Sequence, residues 1–326
     1  MTTTPPYETL TPDCLLDAID GLGLYTSGSL LALNSYENRV YQVGMDEGPP
    51  LVAKFYRPGR WSDAQILEEH AFAAELAERE IPVVAPLVVN GATLHRHAGF
   101  AFALFPRRGG RSPELDRCEV REWIGRFLGR IHAVGAVAPF AERPALDLAA
   151  FGEEPLAFVL AGDYIPRELY EVYRGVAAQA LDGVRRCYDR AGAVDAIRLH
   201  GDCHPSNILW TDAGPHFVDF DDSRMGPAVQ DLWMLLSGDR REQTTQLADL
   251  LAGYEDFREF DGRELHLVEA LRTLRLIHYS AWLARRWHDP AFPAAFPWFD
   301  TPRYWEQKIL ELREQIALMD EAPLPV

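Results

Sequence analysis

The chain has 326 residues and a mass of 36.8 kDa, which is enough for one large domain or two lobes. With 48% hydrophobic and 25% charged residues it has the composition of a globular protein, and 32 Lys and Arg against 49 Asp and Glu give a formal net charge of −17. This acidic balance argues against nucleic acid or an anionic membrane as the main partner. No apolar run approaches the roughly 20 residues that a membrane-spanning helix needs.

Cysteine usage and the N-terminal sequence bear on the compartment. The four cysteines are scattered without C-x-x-C spacing, and the first ten residues, MTTTPPYETL, show no signal-peptide pattern. Disulfides are rare in reducing compartments, where isolated thiols are common. We therefore expect a cytoplasmic protein.

The first third of the chain is predicted to form a sheet with one packed helix. Runs of β-branched and aromatic residues between turns indicate strands, and an apolar stripe behind a Ser62–Gln65 capping box indicates a helix. The predicted elements are a helix over 12–22, strands over 33–43, 51–56, 81–89 and 100–105, and a helix over 63–80. We expect these four strands to belong to a five-stranded antiparallel sheet.

A change in composition marks a predicted hinge. After Phe105-Pro106 the sequence becomes charged and glycine-rich, RRGGRSPE. We therefore place an N-terminal lobe at residues 1–106 and a mostly helical C-terminal lobe at 107–326. Apolar residues at helical spacing predict helices near 120–131, over 166–191, and from Asp231 to about residue 319.

Residues 198–222, RLHGDCHPSNILWTDAGPHFVDFDD, carry the most informative chemistry. Asn207 follows Asp202 by five positions, as in the protein-kinase pattern H-R-D-x-x-x-x-N, and Asp219-Phe220-Asp221 stands where kinases have D-F-G. NILW and HFVDF around TDAGP predict a hairpin that returns Asn207 and Asp219 to neighbouring positions. Amide and carboxylate oxygens suit Mg²⁺, and a further carboxylate can accept a hydroxyl proton. The stretch therefore predicts phosphoryl transfer.

Structural interpretations of the same stretch compete with this one. His200, Cys203 and His204 suggest a metal cluster, but Gly201 and Pro205 disfavour the helix that such spacing requires. We therefore expect His200 to be a buried structural histidine and Cys203 a small packed residue, with a reactive thiol as the alternative for Cys203. Asp221 and Asp222 have the alternative interpretation of solvated turn carboxylates.

Lys54, in V-A-K-F, stands where a kinase strand carries the lysine that pairs with the nucleotide phosphates. The alternative is an ordinary strand lysine with its ammonium in solvent. A glycine-rich loop is absent, so residues 34–38 would have to cradle phosphate through backbone N–H groups and the Ser35 hydroxyl. The kinase helix carries a Glu that pairs with the lysine, for which we choose Glu69 over Glu68. Adenine is expected near residues 104–106.

The motifs HGDCHPSNILW, FVDFDD and GPAVQDLWMLL resemble the aminoglycoside phosphotransferase and choline kinase-like branch of the protein kinase superfamily. Within it, NSYENRVYQV, VAKFYRP and QILEEH resemble the stress response kinase A family of bacterial cytoplasmic serine/threonine protein kinases. The resemblance implies a bilobal α+β, protein kinase-like fold that uses ATP and Mg²⁺. It implies Asp202 as proton acceptor, Asn207 and Asp219 as magnesium ligands, and Ser35 and Lys54 at the ATP phosphates. It further implies protein Ser/Thr hydroxyls as acceptors, autophosphorylation and a role in stress response.

Two other functions stay open at this point. The catalytic core is shared with small-molecule hydroxyl kinases that act on aminoglycosides, choline-like alcohols or sugars, and the acidic chain suits cationic substrates. A non-catalytic nucleotide-binding scaffold is the third reading, although a scaffold has no reason to keep Lys54, Asp202, Asn207 and Asp219 together. We expect a monomer with ATP and protein substrates as partners, and neither nucleic acid nor membrane.

Overall fold

The computed structural model describes residues 5–326. The chain divides into two compact units. The first contains the residues up to Glu114 together with Phe140–Arg143 and Pro205–Ser223, and the second contains Leu115–Pro139, Pro144–His204 and Arg224–Val326. The boundary between residues 106 and 107 stays a prediction.

Nine strands and ten α-helices follow one another along the described chain. The strands are β1 Thr26–Leu33, β2 Arg39–Met45, β3 Leu51–Phe55, β4 His95–His97, β5 Phe100–Pro106, β6 Ile197–Leu199, β7 Ile208–Thr211, β8 Gly214–Phe217 and β9 Arg224–Gly226. The helices are α1 Pro12–Asp20, α2 Asp63–Glu78, α3 Cys118–Gly135, α4 Glu154–Ala161, α5 Arg167–Ala191, α6 Val229–Trp233, α7 Arg240–Tyr254, α8 Val268–Arg286, α9 Ala291–Ala295 and α10 Pro302–Met319. The short helical turns are Ala149–Glu153, Pro205–Asn207, Phe220–Asp222 and Gly262–Leu267.

The predicted five-stranded antiparallel sheet is confirmed, with strand order β1-β2-β3-β5-β4. Its membership differs from the prediction. Residues 33–43 are not one strand, because β1 ends at Leu33, the polar segment 34–38 turns the chain, and β2 begins at Arg39. Residues 81–89 form no strand, since Pro82 and Pro86 lack the N–H groups that a ladder needs, and β4 takes the edge position instead.

Helix α1 covers one face of this sheet. Its buried Leu15 and Ile19 pack in one apolar cluster with strand residues that include Phe55 and Phe102. The rings of Phe55 on β3 and Phe102 on β5 stack with centroids 5.0 Å apart. Burial of aromatic side chains on this scale contributes about 1.5–3 kcal/mol each. The cluster therefore holds β3, the strand that carries Lys54, in a rigid sheet.

The capping box predicted for α2 is confirmed. The Ser62 hydroxyl accepts the Gln65 N–H, and the Gln65 side chain accepts the Ser62 N–H. These bonds satisfy two donors that the first turn of a helix leaves unpaired. The predicted hairpin between NILW and HFVDF is also confirmed, with β7 paired to β8 and Ile208 opposite Phe217. Asn207 immediately precedes β7 and Val218 immediately follows β8, and the Val218 N–H donates to the Asn207 carbonyl at 3.0 Å.

The second unit is mostly helical, as predicted. Helices α3 and α5 include the predicted segments, although Trp123 lies on the exposed side of α3 rather than on its buried face. Two glycines let α3 approach α7 closely, because a Cβ at Gly125 or Gly129 would lie within 2.4 Å of a carbonyl oxygen of α7. Over residues 5–326, the structure shows no helix whose length and apolar character would let it cross a membrane.

A buried carboxyl supports the start of α6. Glu264 is 2% exposed, and its Oε2 accepts the N–H of Val229 at 2.8 Å. Burial raises the pKa of Glu264 to about 7, and the hydrogen bond from Val229 opposes this shift. Ionised Glu264 is therefore disfavoured in the folded protein relative to the unfolded chain.

Glu264→Gln should remove a pH-dependent loss of stability. Because the folded-state pKa lies above the usual ~4.5, this carboxyl's stabilisation is fully present below pH ~4.5 and lost as the pH rises through about 7. We expect the parent to lose about 1–3 kcal/mol of unfolding free energy relative to the variant between pH 5 and 8, since Gln keeps the oxygen that accepts the Val229 N–H. Urea unfolding at both pH values measures this, with exposed Glu259→Gln as control. Equal pH dependence in parent and variant would contradict it.

Candidate active site

A cavity of about 330 Å³ lies within the first unit, at the lower end of the range for small-molecule sites. Most of its wall is apolar, which suits the flat faces of an aromatic ring system in a ligand. Its apolar lining residues are Leu33, Val40, Val52, Ala73, Val84, Phe105, Pro106, Leu209, Val218 and Phe220, and its polar ones are Asn34, Ser35, Lys54, Glu69, Arg108, Ser206, Asn207 and Asp219. Five of the predicted site residues, Ser35, Lys54, Glu69, Asn207 and Asp219, therefore line one cavity.

Lys54 is buried in this wall, with its ammonium among three carboxylates. Its Nζ lies 2.9 Å from Asp219 Oδ1, 3.2 Å from Asp221 Oδ1 and 4.0 Å from Glu69 Oε1. Burial alone would lower the pKa of Lys54, but the three carboxylates raise it well above its usual value. Lys54 is therefore a fixed cation rather than a strand lysine with its charge in solvent.

Glu68 and Glu69, adjacent on α2, have different roles in the structure. Glu69 is 3% exposed, and its Oε2 also accepts from Arg143 Nη2 at 3.1 Å. Burial raises the pKa of Glu69 to about 7, against the lowering effect of Lys54 and Arg143. The Glu68 carboxylate instead accepts backbone N–H groups of residues 141–143. The side chain that faces Lys54 is therefore that of Glu69.

Asp221 is not a solvated turn carboxylate, which corrects one interpretation of the sequence. It is 3% exposed, accepts from Asn38 Nδ2 at 3.1 Å, and forms an ion pair with Arg60. Burial acts to raise the pKa of Asp221, but Arg60 and Lys54 hold it below its usual value. Arg60 also reaches Asp222, at 2.8 Å. Asp221 therefore joins the Lys54 cluster to the segment before α2.

Sequence reasoning missed Arg60 and Arg143, and it placed Asn38 in a phosphate-cradling segment rather than against Asp221. Arg143 donates to the Asp221 and Ser223 carbonyls at 2.7 and 3.0 Å, in addition to its bond with Glu69. These partners are separated from one another by 74 to 183 positions, so no local spacing reveals them. The available signal was Asp221, the second carboxylate in DFDD, which needs a cation when it is buried.

Asp219 occupies a left-handed backbone conformation, with φ 62° and ψ 63°. Asp and Asn adopt this region more readily than other non-glycine residues, but it still carries strain. Such strain persists where the surroundings over-determine the conformation, and it clusters at functional sites. In this conformation the Asp219 carboxylate accepts from Lys54 Nζ at 2.9 Å, and the next three residues, Phe220–Asp222, form a short 3-10 turn.

Asp202 belongs to the second unit, and two basic groups hold its carboxylate there. Arg275 Nη1, from α8, donates to Asp202 Oδ1 at 2.6 Å, and His204 Nε2 lies 3.5 Å from Oδ2. Burial acts to raise the pKa of Asp202, but His204 and Arg275 hold it well below its usual value. Asp202 is therefore a carboxylate rather than a carboxylic acid at neutral pH. Arg275 had no signal in the sequence, since 73 positions separate it from Asp202.

Asp231 supports the loop that carries Asp202. Its two carboxylate oxygens accept the N–H groups of His200 and Gly201 at 2.8 and 2.9 Å. His132 Nε2 lies 3.1 Å from the same carboxylate. All of these groups are buried, so each bond is made in a low-dielectric setting where it contributes more than in water. His200 and Cys203 are fully buried, which confirms their structural interpretation.

The donor groups in the cavity fit magnesium. The Asn207 amide and the Asp219 carboxylate both line the cavity, and oxygens of these two types are the hard ligands that Mg²⁺ takes in proteins, together with phosphate and water. Within residues 5–326 no group of three or more His, Cys, Asp or Glu side chains is arranged to hold a metal ion. The donor set therefore suits a metal that arrives with a phosphate ligand.

Comparison with known proteins agrees with this geometry. A family model described as "Phosphotransferase enzyme family" matches residues 29–268. Stress response kinase A of Salmonella choleraesuis is 46% identical over 318 residues, 98% of this chain and 96% of the relative. The serine/threonine protein kinase RdoA of Salmonella typhimurium gives the same identity and coverage. Among solved structures, amicoumacin kinase hAmiN in complex with AMP-PNP, Ca²⁺ and Ami matches with a TM-score of 0.72 and 21% identity, over 94% of this chain and 92% of that one.

The chain belongs to the phosphotransferase enzyme family and, within it, to the stress response kinase A family. The amicoumacin kinase, at 21% identity, establishes the fold and no more. The predicted family resemblance and fold class are therefore confirmed.

Proposed function

We propose that this protein is an ATP- and Mg²⁺-dependent serine/threonine protein kinase that acts in a bacterial stress response and phosphorylates itself as well as other proteins. One observation carries the proposal: in a chain of this family, a buried Lys54 faces Asp219 at 2.9 Å in the wall of a largely apolar cavity. A buried cation aimed into an apolar cavity of this size suits a nucleotide, which has a flat base and a charged phosphate chain.

The residues of the first unit bind and orient the nucleotide. Phe105 and Pro106, at the end of β5, line the apolar part and would contact adenine. Lys54 would pair with phosphate oxygens while Glu69 holds its ammonium in place. Ser35 lies in the turn between β1 and β2 and would donate its hydroxyl to phosphate.

Asn207 and Asp219 would hold Mg²⁺. When bound, the ion supplies charge neutralisation at the phosphates and keeps them in one orientation. The hydrogen bond between Val218 and Asn207 keeps the two ligand-bearing residues adjacent at the open end of the β7–β8 hairpin.

Asp202 would act as the proton acceptor of the reaction. The acceptor oxygen forms a bond to the γ-phosphorus as the bond between that phosphorus and the β,γ-bridging oxygen breaks. The hydroxyl proton passes to Asp202, and ADP is the leaving group. Backbone N–H bonds from residues 200 and 201 to Asp231 support the loop on which Asp202 stands.

A panel of acceptors tests the proposal. Purified protein is incubated with γ-labelled ATP and Mg²⁺, either alone, with a Ser/Thr-rich protein, or with an aminoglycoside and an amino alcohol. We expect label on the protein itself and on the Ser/Thr-rich protein, recovered as phosphoserine or phosphothreonine. Label confined to the aminoglycoside or the amino alcohol would move the function to a small-molecule kinase. Nucleotide binding with no transfer to any acceptor would identify a scaffold.

A further inference from the structure

The ion pair between Arg275 and Asp202 has a consequence for the acceptor. Arg275 lies on α8 with 44% of its side chain exposed, and its Nη1 donates to Asp202 Oδ1 at 2.6 Å. Asp202 is the group that the proposed function uses as proton acceptor. A cation from another element is therefore hydrogen-bonded to one oxygen of the carboxylate that an incoming hydroxyl must reach.

The charge of Arg275 is available to an acceptor in a way that the charge of Arg272 is not. Arg272, one turn earlier on α8, donates to Glu269 on its own helix at 2.9 Å, and its guanidinium lies 5.3 Å from the centre of the Trp233 ring. The carboxylate that Arg275 contacts is not on α8 but belongs to Asp202, which is distant in the sequence. When an acceptor hydroxyl donates to Asp202 Oδ1, it displaces the Arg275 guanidinium from that oxygen. The Arg275 side chain, 44% exposed, is then left without its carboxylate partner.

A guanidinium has five N–H donors in a planar fork, so it can bind a second carboxylate as it shares or releases the first. An acidic side chain next to the acceptor hydroxyl would provide that carboxylate. It would compensate the loss of the Asp202 contact while the hydroxyl docks. A cationic group in the same place would stand beside Arg275 and would be repelled.

We propose that Arg275 is a specificity-determining residue, which selects Ser or Thr acceptors flanked by Asp or Glu in a protein segment. This inference rests on the proposed protein-kinase function. The net charge of −17 would by itself attract cationic substrates, whereas Arg275 favours acidic residues beside the acceptor hydroxyl. The nearby charge decides the preference, because salt screens the charges that lie farther away.

Matched peptides test the inference. Three peptides of equal length carry one Ser, with Glu, Ala or Lys at the neighbouring positions and no other charge. They are compared by kcat/KM in the full-length parent, in Arg275→Gln and in Arg275→Glu. Arg285→Gln is the control variant, because Arg285 lies on the same helix, ten residues (about 15 Å) further along, and its guanidinium lies 5.1 Å from the centre of the Phe158 ring.

We expect the parent to prefer the Glu peptide over the Lys peptide by about tenfold. Arg275→Gln should reduce that ratio to within about twofold of unity, Arg275→Glu should reverse it, and Arg285→Gln should keep the parent ratio. A merely structural role of Arg275 would lower activity on all three peptides equally and would overturn the inference. A parent that phosphorylates the peptides without an acidic preference would overturn it too, while leaving the protein-kinase function intact. A parent that labels only small alcohols would refute both.

Discussion

Replacing Asp202 by alanine should lower turnover by ~10²–10⁴, the usual contribution of a general acid–base group. The affinity for ATP should stay within about twofold, because the cavity that carries Lys54 and Asp219 lies in the first unit and does not include Asp202. Phosphotransfer rates under saturating ATP, with nucleotide affinity from a fluorescence or calorimetric titration, measure the two quantities separately.

Two further variants separate the proton acceptor from a positioning role. Asp202→Asn keeps the shape and an oxygen that can accept from Arg275, but it cannot take a proton at neutral pH, so it should lose turnover as Ala does. Asp212→Ala removes the same charge from the exposed turn of the β7–β8 hairpin and should turn over like the parent. Turnover restored by Asn would show that Asp202 acts by holding Arg275 rather than by accepting a proton.

Replacing Asp219 by asparagine should lower nucleotide affinity in the presence of Mg²⁺ by ~10²-fold, because a carboxylate that holds a divalent ion is worth several kcal/mol. Asn is the informative substitution here. It tolerates the left-handed backbone at φ 62°, whereas Ala would add backbone strain to the loss of charge. Binding is measured by titrating ATP with Mg²⁺ and again with a chelator.

The titrations with a chelator show whether Asp219 acts as a metal ligand or as a partner of Lys54. If Asp219 holds the ion, the difference between parent and Asp219→Asn should largely disappear without Mg²⁺. If its role is to orient Lys54, at 2.9 Å, the difference should persist with or without the ion. Asp212→Asn, in the exposed turn, should match the parent in both series and controls for the charge change.

Local sequence signals predicted the elements near the site well. The capping box predicted the start of α2 because both of its hydrogen bonds join residues three positions apart. The β7–β8 hairpin followed from two short apolar runs around a turn, which is again a local arrangement. The strand assignments failed at residues 34–38, where a polar segment turns the chain, and at 81–89, where prolines interrupt an apolar run.

The surroundings of each charged residue were harder to predict from the sequence. Asp221 and Asp222 look alike in the sequence, yet Asp221 is 3% exposed and bound by Arg60 and Asn38, while a third of the Asp222 side chain is in solvent. Both carboxylates reach the Arg60 guanidinium, yet they differ in burial, so composition does not distinguish them. The same holds for Glu68, which caps a backbone segment, and Glu69, which faces Lys54.

The sequence by itself determined which residue types the proposed function can use, because Asp202, Asn207 and Asp219 stand at the spacings of the protein-kinase pattern within one short stretch. Only the tertiary structure decided which charges those residues meet. Lys54 finds Asp219 across 165 positions, and Arg275 finds Asp202 across 73. Such pairs depend on how helices and strands pack, and a buried charge is stable only where packing delivers its counter-ion.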